Sequence, residues 1–180
     1  QQFQFTPQEF NKERPRILTL GTAPNKNLER LIAAIDGLPC TLVIIGQLPQ
    51  EHRDALVQRR IQFENYCNLS SEAVIEQYHR SDLVSFVSTY EGFGMPILEA
   101  QAVGRPVVTS NLSSMPEVAG DAACLVDPLE VDSIRGGLLR VIQDAPFREQ
   151  LVVRGRENVK RFDPERIARQ YLEVYRSLAG

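Results

Sequence analysis

Short apolar runs recur along this chain, each followed by a stretch of helical spacing, and that alternation restricts the fold more than any other feature. "RILTLG" (16–21), "CTLVIIG" (40–46), "IQFEN" (61–65), "LVSFVS" (83–88), "PVVTS" (106–110) and "AACLVDP" (122–128) read as strands. Between the first two, "NKNLERLIAAIDG" places Leu28, Leu31, Ile32 and Ile35 on one helical face, with Gly37 as its stop. Further helices are expected over 51–60, over 70–82 with Ser70 or Ser71 as cap, and from Pro96 to Val103 with Gly104 as terminator. The last third reads as three helices. Gly136 and Gly137 are expected to allow close packing in the first, Pro146 to open the second, and Asp163 with Pro164 to start the third.

Near-continuous apolar strands separated by helices imply a parallel sheet covered on both faces. With right-handed crossovers, the expected class is α/β: a Rossmann-like, doubly wound parallel sheet of about six strands, with C-terminal helices. In the order 3-2-1-4-5-6, the first and fourth strands adjoin where the winding reverses, and ligands bind beyond their carboxyl ends. The loops meeting there would be "GTAPNK" and "STYEGFGM". Residues 1–15 are polar, carry Pro7 and Pro15, and read as a lead-in or linker to a domain spanning 16–180.

The charge balance gives no reason to expect nucleic acid as a partner, since the formal net charge is −3. The longest apolar runs are too short for a transmembrane segment, and the N-terminus lacks the order of a signal peptide. Cys40, Cys67 and Cys124 are isolated and odd in number, as expected of reduced cytosolic thiols in core positions. With His52 and His79 as the two histidines and no C-x-x-C, no metal site is expected. His79 reads as a structural or exposed helix residue.

The loop "EGFGMP" carries the chemistry. Gly92 and Gly94 can adopt positive φ and let a ligand approach the backbone. Pro96 suits a helix first turn, and N–H groups around Met95, Ile97 and Leu98 would face the crevice with the helix's positive end. A tight turn without ligand would use the same glycines. Glu99, placed in the first turn, either complements the helix dipole or accepts hydrogen bonds from a vicinal diol. Glu91 is either a solvated loop charge or an acceptor for sugar hydroxyls near a developing positive charge. Lys26 is either an exposed helix-start lysine or a point charge on phosphate.

"EGFGMPILEA", together with "GRPVVTSNLSSMPEVAGDAACLVDP", resembles the E-x7-E region of retaining glycosyltransferase family 4, often called group 1. The similarity extends over nearly all of the chain after residue 15. It implies the C-terminal, donor-binding domain of a two-domain GT-B enzyme whose N-terminal half supplies the acceptor site. It also implies donor contacts from Gly21, Lys26, Glu91, Gly92, Phe93, Gly94, Met95, Pro96, Ile97 and Glu99. Lys26 would lie on the diphosphate, Glu91 by the sugar and Glu99 on the ribose; Glu91 and Lys26 would form the catalytic set. The base would sit against Asn65, Tyr66 and Cys67. The implied ligand is a UDP- or GDP-sugar, with no separate cofactor. The implied acceptor is a saccharide or lipid-linked sugar, and the implied location is cytoplasmic, either free or, in the full-length protein, peripheral at the inner membrane face. Thr22 and Asn25 stand where many relatives carry arginine, which weakens the expectation of a second cation on phosphate. Val87 replaces a frequent proline. At 180 residues, the chain is expected to hold the donor half alone. A noncatalytic nucleotide-sugar-binding module and another GT-B reaction, such as epimerisation, are the alternatives.

Overall fold

A computed structural model of the chain describes residues 3–179. Gln1, Gln2 and Gly180, which belong to the expected lead-in and domain end, lie outside the described residues. The strands are β1 (Arg16–Leu20), β2 (Thr41–Ile45), β3 (Gln62–Tyr66), β4 (Leu83–Phe86), β5 (Val107–Ser110) and β6 (Cys124–Val126). They form one sheet in the order β3-β2-β1-β4-β5-β6, with every pairing parallel. The expected class and strand order are both found. Ile17 of central β1 stands opposite Leu42 on one side and Leu83 on the other.

Successive side chains of a strand point to opposite faces, and the core divides accordingly. Ile17, Leu42, Ile44 and Val108 face one layer; Leu18, Val43, Val84 and Val107 face the other. The first layer receives α1 (Leu28–Ala34) and α2 (Gln50–Gln58). The second receives α3 (Ser71–Arg80), α4 (Met95–Val103) and α5 (Met115–Ala119). Then α6 (Val131–Gln143) returns to the first layer, and Leu151 of α7 (Ala145–Val159) joins it. Leu31 is fully buried; truncating such a residue to alanine costs about 2–5 kcal/mol.

Local signals account for most helix ends. Ser70 Oγ accepts from Ala73 N at 3.3 Å, making it the cap of α3. Gly104 closes α4 in the left-handed region at φ 82°. Gly37 is also left-handed at φ 71°, but lies beyond the end of α1 at Ala34. Gly137 does permit close packing, since a Cβ there would collide with Val126 Cγ1; Gly136 faces open space and serves no such purpose. Cys40 and Cys124 are buried as expected, whereas Cys67 is exposed. Its position at the end of an edge strand explains the difference. The short α5 was not expected, because "MPEVA" is too brief for a periodicity to register.

The segment before β1 is strapped onto the domain. Asp82 accepts from the backbone N–H groups of Asn11 and Arg16, both at 2.8 Å. Arg105, just before β5, is buried and donates to the carbonyls of Thr6 (2.9 Å), Val103 (3.1 Å), Tyr78 (3.2 Å) and His79 (2.9 Å). Burial lowers its pKa from the ordinary value, opposed in part by the Asp82 charge. At the other end, α8 (Pro164–Ala179) starts at Asp163, whose Oδ1 accepts from Arg166 N at 3.0 Å. Tyr171, Leu172, Val174, Tyr175 and Leu178 are all exposed on it. Among the described residues, no helix is long and apolar enough to cross a membrane.

Candidate functional site

The carboxyl ends of β1 and β4 bring the two unusual loops together. After β1, Gly21 turns with φ 84°, and a Cβ there would stand 2.8 Å from Lys26 Cε. The missing side chain is therefore the space through which the Lys26 stem passes. A single 3-10 turn over Pro24–Lys26 follows, and Asn27 adopts a left-handed φ of 59°. Asn27 is buried, and its Nδ2 donates to Val87 O at 3.0 Å and Pro128 O at 2.7 Å. It fastens the first loop to the end of β4 and to the segment after β6. Thr89 N donates to Asn25 O at 2.9 Å, closing the same seam.

Across it, Lys26 Nζ donates to Glu91 Oε1 at 2.6 Å and lies 4.9 Å from the centre of the Phe86 ring. Asn25 Nδ2 donates to Tyr90 O at 3.0 Å and approaches Glu91 Oε1 at 3.4 Å. The two expected catalytic side chains are thus partners, a pairing that linear spacing does not reveal. Both are largely shielded from water, so salt screens the pair less than it would an exposed ion pair.

The glycine loop is held from the opposite side. Ser114 Oγ donates to Phe93 O at 2.6 Å and Glu91 O at 3.1 Å, while Ser113 Oγ donates to Glu91 O at 2.8 Å. Ser113 does this from a left-handed φ of 56°. These serines, like Asn27, were not singled out in the sequence, although "NLSSMPEVAG" contains the Ser-Ser-x-Pro pattern of a turn entering a helix. Gly94 has φ 117°, with a Cβ position 3.2 Å from Ile97 Cδ1. Gly92 does not have positive φ and faces open space, so the conformational need expected of both glycines rests on Gly94 alone. Phe93 is partly exposed and meets Phe162 edge-on at 5.7 Å. Met95 is exposed, Pro96 half-buried and Ile97 buried.

Two expectations about α4 need correction. The Ile97 N–H donates to Gly94 O at 3.0 Å, so it is not a free donor toward the crevice. Glu99 lies one residue past the first turn, which contains no acidic residue, because the helix begins at Met95. What holds Glu99 is Tyr78 of α3, whose Oη donates to Glu99 Oε2 at 2.6 Å. Burial raises the Tyr78 phenol well above its ordinary pKa, and the charge of Glu99 and the hydrogen bond to it raise it further. The phenol is therefore a proton donor throughout the physiological range.

Asn65, Tyr66 and Cys67 lie two strands away, at the end of β3. Asn65 Nδ2 donates to Ile44 O (3.2 Å) and Gly46 O (2.8 Å), and its Oδ1 accepts from Arg53 Nη2 at 3.4 Å. Tyr66 Oη turns back to Glu64 Oε2 at 2.7 Å, and Cys67 Sγ lies 3.1 Å from Gly46 O. Among the described residues, no group of histidine, cysteine and carboxylate side chains has the arrangement of a metal site.

Comparison with known proteins identifies the family. A 93-residue stretch is 45% identical to the O-antigen chain mannosyltransferase B of Escherichia coli, covering 52% of this chain and 24% of that protein. The MMP alpha-(1->4)-mannosyltransferase of Mycolicibacterium hassiacum is 30% identical over 95% of this chain and 45% of its own length. The chain therefore spans less than half the length of these relatives. The structure of Anabaena Alr3699/HepE in complex with UDP and glucose has the same fold, with a TM-score of 0.82 at 20% identity, over 92% of this chain and 49% of that one. Residues 1–158 match the family described as Glycosyl transferases group 1, and the chain belongs to it.

Proposed function

We propose that this chain is the C-terminal, donor-binding half of a family 4 glycosyltransferase that acts with retention at the anomeric carbon. The observation that carries the proposal is the convergence of Lys26, Glu91 and the start of α4 at the β1–β4 crevice. Cleavage of a glycosyl–phosphate bond leaves negative charge on the departing diphosphate. Lys26 and the positive end of α4 stabilise that charge. Glu91 accepts from sugar hydroxyls, and Glu99 from the ribose diol. Holding the donor in this way lowers the entropic part of the barrier.

In this reading, the donor is a UDP- or GDP-sugar, and no separate cofactor takes part. The two relatives named as mannosyltransferases support a mannosyl donor. The acceptor is a growing saccharide or lipid-linked sugar, presented by an N-terminal domain that also supplies the remaining catalytic groups. The complete enzyme works in the cytoplasm, peripherally at the inner membrane face.

One observation favours a second reading, a noncatalytic nucleotide-sugar-binding module: Lys26 is neutralised by Glu91, and Thr22 and Asn25 add no charge. Calorimetric titration with GDP-mannose, UDP-glucose, GDP and UDP tests the binding step common to both readings. Saturable binding of at least one nucleotide-sugar, weakened by Lys26→Ala, is expected; absence of binding by all four ligands overturns the proposal. Transfer from a bound donor to a hydroxyl acceptor, with the chain joined to its N-terminal domain, separates enzyme from module.

A further inference from the structure

Tyr78 occupies an unusual position for a hydroxyl. Its residue is fully buried, within the layer formed by Val84, Phe86, Ile97 and Val103. Phe3 of the N-terminal strap meets its ring edge-on at 5.6 Å. Its own carbonyl is held by Arg105 Nε at 3.2 Å. Ring and backbone are therefore fixed independently, and the Oη proton has one direction to go. That direction is Glu99 Oε2, at 2.6 Å. Among the described residues, Glu99 Oε1 has no hydrogen-bond partner, and it is not sealed from solvent.

We propose that Tyr78 is a positioning residue that fixes the Glu99 carboxylate by one oxygen and leaves the other to accept from the ribose, making the site selective for ribonucleotides. This rests on the reading of Glu99 as a ribose acceptor. A glutamate has three rotatable side-chain bonds, and one left free would lose that freedom on each binding event. A short hydrogen bond to an immobile phenol removes the freedom beforehand, which is preorganisation. A lone carboxylate also attracts water and cations, whereas one already bonded on Oε2 offers a single oriented acceptor. The strap takes part indirectly: Phe3 covers the Tyr78 ring, so the segment leading into the domain buttresses the nucleotide site without touching nucleotide.

The test is the ratio of affinities for a nucleoside diphosphate and its 2′-deoxy and 3′-deoxy analogues, measured by calorimetry for the chain and for Tyr78→Phe. Phenylalanine preserves the ring and its contact with Phe3, and removes the donated proton. The chain is expected to prefer at least one hydroxyl-bearing ligand about tenfold, a difference of about 1.4 kcal/mol. In Tyr78→Phe, that ratio should fall to about threefold or less while affinity for the deoxy analogue holds. The double variant with Glu99→Gln should lose no more discrimination than Glu99→Gln alone. A structural role would weaken all ligands equally and leave the ratio intact, and that result overturns the proposal. Absence of discrimination by the unmodified chain removes the ribose reading itself and the inference with it, a distinguishable failure. Should Tyr78→Phe not fold, Glu99→Asp supplies the test. Its shorter arm cannot reach Tyr78 and ribose together, so retained discrimination would overturn the proposal.

Discussion

Lys26 and Glu91 neutralise each other across the seam between the β1 and β4 loops, Nζ to Oε1 at 2.6 Å. Each side chain therefore enters the crevice already oriented, and under the proposed function a diphosphate arriving there would compete with a carboxylate for the same ammonium. The two groups affect phosphate in opposite senses, so their variants separate them.

Glu91→Gln should tighten binding of a bare nucleoside diphosphate by roughly 1 kcal/mol, about fivefold, because a repelling charge near phosphate disappears and Lys26 is released. The same variant should weaken a nucleotide-sugar relative to its diphosphate. Lys26→Ala should weaken the diphosphate by about 1.5–3 kcal/mol and barely alter the free nucleoside. Parallel calorimetric titrations of the three ligands check both signs; equal changes for diphosphate and nucleoside would detach Lys26 from phosphate.

Ser113 holds Glu91 O from a left-handed conformation, so its hydroxyl and its backbone act in opposite directions on stability. Ser113→Ala loses the hydrogen bond and keeps the strain, whereas Ser113→Gly loses the bond and relieves it. The glycine variant should be the more stable of the two by about 1 kcal/mol. Chemical denaturation of both proteins measures the difference.

The adjacent glycines of α6 should respond oppositely to the same substitution. Gly137→Ala drives a methyl into Val126, with Val108 Cγ1 at 3.3 Å behind it, and should cost about 1–3 kcal/mol. Gly136→Ala meets nothing within 4 Å and should gain about 0.5–1 kcal/mol from helix propensity. Thermal melts of the pair suffice.

The acid limb of stability should carry the signature of Glu64. Its hydrogen bond to Arg16 is the main cause that lowers its pKa from 4.5 to about 2, with Tyr66 adding a second hydrogen bond. A carboxylate depressed in the folded state stabilises fully above its unfolded pKa, then progressively less as protons bind the unfolded chain. The contribution is thus complete above about pH 4.5, declines below it and is gone near pH 2. Glu64→Gln should flatten the stability profile in that window, as denaturant midpoints between pH 5 and 2.5 would record. Because Glu64 is about one-third exposed, solvent moderates the effect.

The sheet was legible because its evidence is local and repeated. Runs such as "TLVIIG" give strand, burial and parallel pairing together, and the strand order then follows from crossover handedness. The site was legible only in part. Motif residues singled out Lys26, Glu91 and Glu99, but not their partners, because Tyr78 and Glu99 belong to different helices and Ser114 reaches Glu91 from the segment after β5. Sequence spacing carries no signal for such contacts. Nor did the polarity of residues 1–15 disclose the strap, whose backbone donates to Asp82 from Asn11 and accepts from Arg105 at Thr6. No local pattern marks Arg105, and its burial becomes apparent only when the carbonyls of α3, α4 and the strap are assembled around it.

The exposed apolar stripe of α8 has a consequence for how this chain melts. An isolated helix of that length is marginal in water, and Tyr171, Val174, Tyr175 and Leu178 gain nothing from burial here. Heating should therefore fray α8 gradually while the sheet and its two layers remain intact. Helical ellipticity would begin to fall before the aromatic signal of buried Tyr78 and Phe86 changes. The two probes would then trace separate curves, and one midpoint would not represent the molecule.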